Sequence, residues 1–273
     1  MKFEIIFVRH GVSCMNQLHH RWKPRLVSLY TDPELTRTGK ERSVRMGKHL
    51  LENIQTRWSH KQWKIGASSL IRAQETAYYM LGKRTGKKIV AMPHICEFGE
   101  GQDDTPTIDT HTKMKIIENS SPGISKHLVL SNLEKESNLT KSDFYLFQEW
   151  AKTEEGREHF GFTSKAEGGD EIYRVVIFTH ARLIKRLFPE IPVPENHVYV
   201  NNNEAIFCKW DTKKNQENMY NLYDIEYIPI ADKMELYSCP NDCRKATLCA
   251  FSKNATKKSR RNNRGRTMCY RRG

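Results

Sequence analysis

Two short apolar runs constrain the fold of this chain more than any other feature of its sequence. Ile5–Val8 ends at Arg9, and Val175–Phe178 ends at Thr179. Both runs are built from β-branched and aromatic residues and show no polar alternation. Such runs are typical of strands that are buried on both faces, as in a parallel sheet covered by helices. They are too short to cross a bilayer, so no membrane span is expected.

Strands and helices alternate along much of the remaining chain. Trp63–Ser68 is predicted to be a strand that leads into a helix over Ser69–Met80, and Lys88–Met92 to be a further strand. Glu204–Trp210 and Tyr220–Ile228 have the pattern of closing, antiparallel strands. This order predicts an α/β fold, a three-layer α/β/α sandwich with a mostly parallel central sheet.

A further helix is predicted to open at Leu35–Glu41. Thr36 or Thr38 is its candidate N-cap, because a threonine hydroxyl can accept a free backbone N–H of the first turn. Helical spacing then predicts the face that packs on the sheet, and this face comprises Val44, Gly47, Leu50, Leu51 and Ile54.

The sequence changes character between about residues 100 and 170. This stretch is polar and interrupted by proline and glycine, with one amphipathic segment around Asp143–Ala151. The composition predicts an inserted lid region rather than a layer of the sheet. The predicted organisation is therefore one domain over residues 1–235 with an insertion at about 100–170.

The positive charge of the chain is concentrated at its end. The sequence has 45 Lys and Arg against 32 Asp and Glu, a formal net charge of +13, and nine of the basic residues lie in residues 253–273. Residues 236–273 also contain four of the seven cysteines, without the spacing of a common zinc module. We expect this segment to be a disordered, polyanion-seeking tail with free thiols.

Reactive side chains follow three of the predicted strands. Arg9 and His10 follow the first strand, Arg72 the second and His180 the late one. In open α/β sheets ligands bind beyond the carboxyl ends of the strands, so these side chains are expected to converge. Arginine binds phosphate oxygens in a planar, bidentate geometry, and a neutral imidazole can attack phosphorus. Arg72 paired with Glu75 on a helix surface is the structural alternative.

These residues form an ordered pattern. The sequence Arg9-His10-Gly11-x-Ser13-x-x-Asn16 resembles the signature of the histidine phosphatase superfamily, in its phosphoglycerate mutase-like branch. The resemblance extends over roughly residues 3–210. Further segments agree in order: Leu35-Thr36-x-x-Gly39, Ser68-Ser69-x-x-Arg72-Ala73-x-x-Thr76-Ala77, Ile95-x-Glu97 and the strand-terminal His180.

The resemblance implies a role for each matching position. His10 is similar to the nucleophile that becomes phosphohistidine, and Glu97 is similar to the proton donor for the leaving group. Glu100, Asp103 and Asp104 crowd the same loop and are alternative acids. No metal or cofactor is implied. The implied phosphate pocket comprises Arg9, Ser13, Asn16, Arg72 and His180, of which His180 is also counted as catalytic.

Two departures from the family pattern bear on the activity. Thr179 stands where the family has glycine before the second histidine. Residues 19–32 lack the tryptophan- and glycine-containing segment of the mutases, so phosphatase activity is favoured over mutase activity.

The implied substrate is a phosphorylated small molecule or a phosphoprotein. An alternative hypothesis is an inactive relative that binds nucleic acid through residues 253–273. The first residues have no pattern of a secretory signal, and we expect a cytoplasmic protein, with the nucleus as the alternative. The sequence predicts no oligomeric state.

Overall fold

The account below concerns the residues that the computed structural model describes. The predicted tail, residues 236–273, lies outside them, and for residues 18–20 and 159 only the backbone is described. The described ranges are residues 1–20, 31–59, 62–97, 104, 106–107, 109–130, 143–159, 172–191, 200–213 and 220–229.

A seven-stranded mixed sheet forms the centre of this part of the chain. Its strand order is β4-β3-β2-β5-β1-β6-β7, and the five strands from β4 to β1 are parallel. The strands β6 and β7 are antiparallel to their neighbours, as the sequence predicted. The strands are β1 (Lys2–Arg9), β2 (Lys64–Ser68), β3 (Ile89–Met92), β4 (Leu128–Val129), β5 (Ile172–Thr179), β6 (Ala205–Asp211) and β7 (Leu222–Ile228).

Helices connect and cover these strands. A π-helical turn over Tyr78–Gly82 continues the helix that follows β2, and a 3₁₀ turn over Ile124–Lys126 precedes β4. The described α-helices are α1 (Cys14–His20), α2 (Arg37–Trp58), α3 (Ile71–Ala77), α4 (Lys83–Thr85), α5 (Thr110–Ser120), α6 (Phe144–Lys152), α7 (Glu154–His159) and α8 (Ala181–Leu187). Among the described residues, no helix is long and apolar enough to span a membrane.

Side chains of β1 alternate between two hydrophobic cores. Ile6 packs in one core with Leu50 of α2, and both are fully buried. Phe7 packs in the other, edge-on to Phe144 of α6 with ring centroids 5.8 Å apart, together with Ile184 of α8. Each fully buried side chain of this size contributes about 1.5–3 kcal/mol. Helices on both faces confirm the three-layer α/β/α prediction.

Helix α2 begins where the threonine pattern predicted. The Thr36 side chain accepts a hydrogen bond from the Gly39 N–H, so Thr36 rather than Thr38 is the N-cap. The predicted face is confirmed at Leu50 and Ile54, but Val44 is 39 % exposed. The prediction is wrong for Val44, because Met46, which the predicted face left out, is buried at that turn instead, while the predicted Gly47 is buried as expected.

The segment from residue 100 to 170 contributes to the layers of the fold. Strand β4 pairs in parallel with β3 at the sheet edge, α5 buries Ile117 in one core, and α6 buries Phe147 in the other. The interpretation as an insertion outside the sheet is therefore wrong for the described part of this segment. The sequence signal is weak because β4 has two residues and α5 buries Lys113 where an apolar residue is expected.

Candidate active site

The carboxyl ends of β1, β5 and β2 lie side by side and bring the predicted residues together. His10 follows β1, His180 follows β5, and Arg72 lies in the first turn of α3 after β2. The two imidazole rings have centroids 5.1 Å apart. A cleft at this edge is lined by Arg9, His10, Ser13, Met15, Asn16, Arg72, Glu97, Asp104, Ala181 and Arg182. Every predicted site residue except the fully buried His180 lines this cleft.

The His10 ring is oriented by its own loop. Its Nδ1 lies 2.7 Å from the Gly11 carbonyl oxygen, which can only accept, so the neutral ring carries its proton on Nδ1. The Nε2 lone pair is then free of a proton. Burial, and next the charges of Arg72 and Arg9, hold the pKa of His10 well below its usual value of 6.5. Near neutral pH His10 is therefore a neutral imidazole whose Nε2 lone pair is available for attack.

His180 lies beside His10 and is held by a serine of the adjacent strand. Its Nε2 lies 2.8 Å from the Ser68 hydroxyl oxygen, which also accepts the N–H of Leu70 at 3.2 Å. Because that hydroxyl accepts from the backbone, its proton can be donated to Nε2, which leaves the His180 proton on Nδ1. Among the described residues this buried Nδ1 has no hydrogen-bond partner. Burial and the Arg72 charge hold the pKa of His180 well below 6.5.

The threonine that replaces the family glycine is accommodated in β5. Thr179 is the last residue of that strand, and its hydroxyl donates to the Ile95 carbonyl at 2.7 Å. The Thr179 carbonyl accepts the His10 N–H at 2.9 Å. The departure therefore leaves His180 beside His10 and ties the loop before Glu97 to the same strand end.

Arg72 points into the cleft and does not pair with Glu75. Its Nη2 donates to Asp104 Oδ1 at 2.9 Å, and the side chain is 4 % exposed. Glu75 instead accepts the Leu35 N–H at 2.6 Å and lies 3.1 Å from the Lys40 ammonium. The structural alternative for Arg72 is therefore wrong.

The start of α1 contributes a turn next to His10. The Asn16 Oδ1 accepts the Ser13 N–H at 3.0 Å and the Ser13 hydroxyl at 3.1 Å. Arg9 donates through Nη1 to the Val200 carbonyl at 2.6 Å. These bonds hold three of the predicted phosphate-contacting side chains in fixed positions along one wall of the cleft.

Two carboxylates also line the cleft. Glu97 is half-buried and accepts the backbone N–H of Arg182 through Oε1 at 3.2 Å. Asp104 accepts from Arg72 as described above. The other candidate acids, Glu100 and Asp103, lie outside the described residues. In the described part of the chain, no three His, Cys, Asp or Glu side chains are placed to hold a metal ion.

Close packing between the start of α2 and the loop after His10 explains the segment Leu35-Thr36-x-x-Gly39. The Thr36 hydroxyl donates to the Val12 carbonyl at 3.1 Å, and a Cβ atom on Gly39 would lie 2.2 Å from the same oxygen. A side chain at Gly39 would therefore push the loop that follows His10 out of place. Glycine at this position lets the helix start contact the loop backbone directly.

Sequence reasoning missed the residues that hold the backbone of Arg9 and His10. Asn202 donates through Nδ2 to the His10 carbonyl at 2.7 Å. The Asn203 N–H donates to the Arg9 carbonyl at 3.0 Å, with Asn203 at φ 68°. Asparagine tolerates this left-handed conformation better than most residues. The signal was the run of three asparagines shortly before β6, a strand that the sequence predicted.

A buried ion pair that sequence reasoning also missed supports the start of α3. Asp32 Oδ1 accepts the Ile71 N–H at 2.7 Å, and its Oδ2 lies 3.0 Å from the Lys113 ammonium. The Lys113 ammonium also donates to the Ser69 carbonyl. Both charged side chains are completely buried. This network fixes the junction between β2 and Arg72.

Comparison with known proteins agrees with this geometry. Residues 5–119 match the family model described as the histidine phosphatase superfamily, branch 1. The chain is similar to this superfamily over residues 5–119, fewer than half of its 273 residues. No curated protein shows significant sequence similarity to the chain.

Several solved structures are similar to the chain at low sequence identity. Mycobacterial glucosyl-3-phosphoglycerate phosphatase is 18 % identical, with 77 % of this chain and 92 % of that one aligned at a TM-score of 0.38. Alpha-ribazole phosphatase from Shigella flexneri is 16 % identical, with 85 % and 99 % aligned at a TM-score of 0.40. Phosphoglycerate mutase from Bacillus anthracis is 18 % identical, with 83 % and 92 % aligned at a TM-score of 0.42.

Proposed function

We propose that the protein is a phosphatase that hydrolyses a phosphate monoester through a phosphohistidine on His10. The observation that carries this proposal is the buried His10 ring, held through Nδ1 by the Gly11 carbonyl, in a cleft that also holds Arg9 and Arg72. An imidazole lone pair is a nucleophile for phosphorus, and arginines stabilise the charge of the transferring phosphoryl group. The substrate is a phosphorylated small molecule or a phosphoprotein.

The first half of the proposed reaction forms the phosphoenzyme. The His10 Nε2 attacks the phosphorus atom, and the bond between phosphorus and the ester oxygen breaks. Glu97 donates a proton to that oxygen, so the alcohol leaves neutral. Arg9 and Arg72 bind the non-bridging oxygens, and His180 supports the same phosphate pocket from its position beside the His10 ring. Ser13 and Asn16 contact the phosphoryl group at the start of α1.

The second half returns the enzyme to its starting state. A water molecule attacks phosphorus while Glu97, now ionised, takes one of its protons, and the P–N bond to His10 breaks. Inorganic phosphate leaves with the released electron pair back on Nε2. In a mutase the acceptor would be a second substrate hydroxyl, and the two activities differ only in what enters the cleft at this step.

The proposed function is tested by turnover on a panel of monoesters. The purified full chain, in excess chelator, is incubated with p-nitrophenyl phosphate, sugar phosphates and phosphopeptides, and released phosphate is measured. Phosphate release that persists in chelator supports a metal-independent phosphatase, since the arginines carry the charge that a metal would otherwise neutralise. Absence of release from every substrate would contradict the proposal. Transfer to an added alcohol in place of water would favour the mutase alternative.

The pH dependence of the reaction should follow the two depressed histidine pKa values. His10 must be neutral to attack phosphorus, and both histidines have a pKa well below 6.5. We expect kcat/KM to show no acid limb at pH 6.5 and to fall only at clearly lower pH. Histidine NMR titration checks the assignment. An acid limb centred near pH 6.5 would contradict it.

The same shifts predict how stability depends on pH. An unfolded histidine titrates near its usual 6.5, so below that pH the unfolded chain binds protons that the folded chain does not. The free energy of unfolding should therefore decrease as the pH is lowered from about 6.5 toward the folded pKa values. Denaturation at a series of pH values measures this slope.

The basic tail supports a second, separable proposal. Nine basic and no acidic residues in 253–273 favour salt-dependent binding to nucleic acid. Deleting residues 253–273 should leave turnover of a small monoester unchanged and remove binding to a labelled oligonucleotide at low salt. Loss of turnover on deletion would show that the tail is not separable from the enzyme.

A further inference from the structure

The cleft contains a carboxylate next to its buried arginine. Arg72 Nη2 and Asp104 Oδ1 lie 2.9 Å apart, and their side chains are 4 % and 10 % exposed. Both residues line the cleft that also contains the His10 ring. A carboxylate therefore occupies one of the guanidinium donors that face the candidate phosphate site.

A phosphoryl group and this carboxylate compete for the same charge. The Arg72 charge contributes to the lowered pKa values of both His10 and His180, so the guanidinium lies within electrostatic range of both rings. Two anions on one buried guanidinium repel each other strongly, because a buried site screens charge poorly. Among the described residues, the other charged groups that line the cleft are Arg9, Glu97 and Arg182.

We propose that Asp104 is a resident counter-ion that the phosphoryl group displaces from Arg72, and that it thereby determines the affinity of the cleft for phosphate. The inference rests on the proposed function and assigns Asp104 a role other than proton donor. Before substrate binds, Asp104 neutralises a buried arginine whose unpaired charge would be costly to desolvate. The phosphoryl group displaces Asp104 from Arg72 when substrate binds, and Asp104 pairs with Arg72 again when product phosphate leaves. The carboxylate therefore weakens the binding of product phosphate.

The expected size of the effect follows from competition. The observed dissociation constant is the intrinsic one divided by the fraction of protein in which Arg72 is available. If the pair with Asp104 is formed in about nine molecules out of ten, its removal tightens binding by about tenfold. A neutral asparagine of the same shape removes the charge and keeps the volume.

Isothermal titration of Asp104→Asn with inorganic phosphate at constant pH and salt tests the proposal. We expect the dissociation constant to fall by about tenfold relative to the parent protein. KM for p-nitrophenyl phosphate should fall in parallel, with kcat changed by less than about threefold. The matched control is Asp109→Asn, which removes the same charge from an exposed N-cap, where asparagine caps the helix equally well. The control should leave both constants unchanged.

Several results would overturn the proposal. Weaker phosphate binding in Asp104→Asn would mean that the carboxylate orients Arg72 for the substrate. A large fall in kcat with unchanged phosphate affinity would make Asp104 the proton donor in place of Glu97. Equal tightening in the Asp109→Asn control would show a general charge effect. If the parent protein neither binds phosphate nor hydrolyses any monoester, the proposed function fails together with this inference.

Discussion

Replacing His10 with alanine is expected to abolish phosphate release while leaving the fold intact. The substitution removes the nucleophile, and removal of a nucleophile costs at least about a thousandfold in kcat. Initial rates of phosphate release from p-nitrophenyl phosphate measure the loss. Arg9 and Arg72 remain, so His10→Ala should still bind inorganic phosphate in a titration. Activity within tenfold of the parent protein would contradict the assignment of His10.

Two controls separate loss of the nucleophile from nonspecific damage. His49 is exposed on α2 and lies 3.7 Å from Glu52, so His49→Gln should retain full activity. The circular dichroism spectrum and denaturation midpoint of His10→Ala should match those of the parent protein. If His10→Ala misfolds, the role of His10 is tested by the phosphoenzyme measurement described below.

Replacing Lys113 with alanine is expected to cause the largest loss of stability of the substitutions considered. Asp32 would then keep a completely buried negative charge with no cation, and breaking a buried pair in this way costs about 3–5 kcal/mol. Two hydrogen bonds to α3 and its preceding loop depend on the same groups. Urea denaturation measures the change in the free energy of unfolding.

The control for Lys113→Ala is an exposed ion pair. Lys152 pairs with Glu149 on α6 with side chains 38 % and 69 % exposed, so Lys152→Ala should cost less than about 1 kcal/mol. The double substitution Asp32→Asn with Lys113→Met should recover part of the loss, since no unpaired charge remains buried. Equal losses for Lys113→Ala and Lys152→Ala would contradict the account of this network.

The convergence of the site could be predicted because it depends on sheet topology. His10 and His180 each end an apolar run, and two parallel neighbouring strands must present their carboxyl ends at one edge. The order of β1, β5 and β2 in the sheet then places Arg72 beside them. The Thr36 cap and the antiparallel β6 and β7 followed from equally local rules.

The supporting residues could not be predicted by those rules because their contacts join distant parts of the chain. Lys113 lies on a polar helix, and no pattern in its own segment indicates that it reaches Asp32, 81 residues earlier. Asp104 was one of four acids in a loop, and only the three-dimensional contact separates it from its neighbours by placing it on Arg72. A charged side chain can be buried where a partner of opposite charge lies beside it. Local sequence periodicity does not encode the position of that partner.

The most direct test of the central claim is capture of the phosphoenzyme. The full chain is mixed with ³²P-labelled monoester, quenched within milliseconds in base, digested and analysed by mass spectrometry under neutral or alkaline conditions. A phosphoryl group bonded to nitrogen is lost in acid and retained in base, so the account predicts an acid-labile, base-stable label on the peptide that contains His10 and no label in His10→Ala. A label on Ser13 or another residue, or turnover with no trapped label, would contradict it.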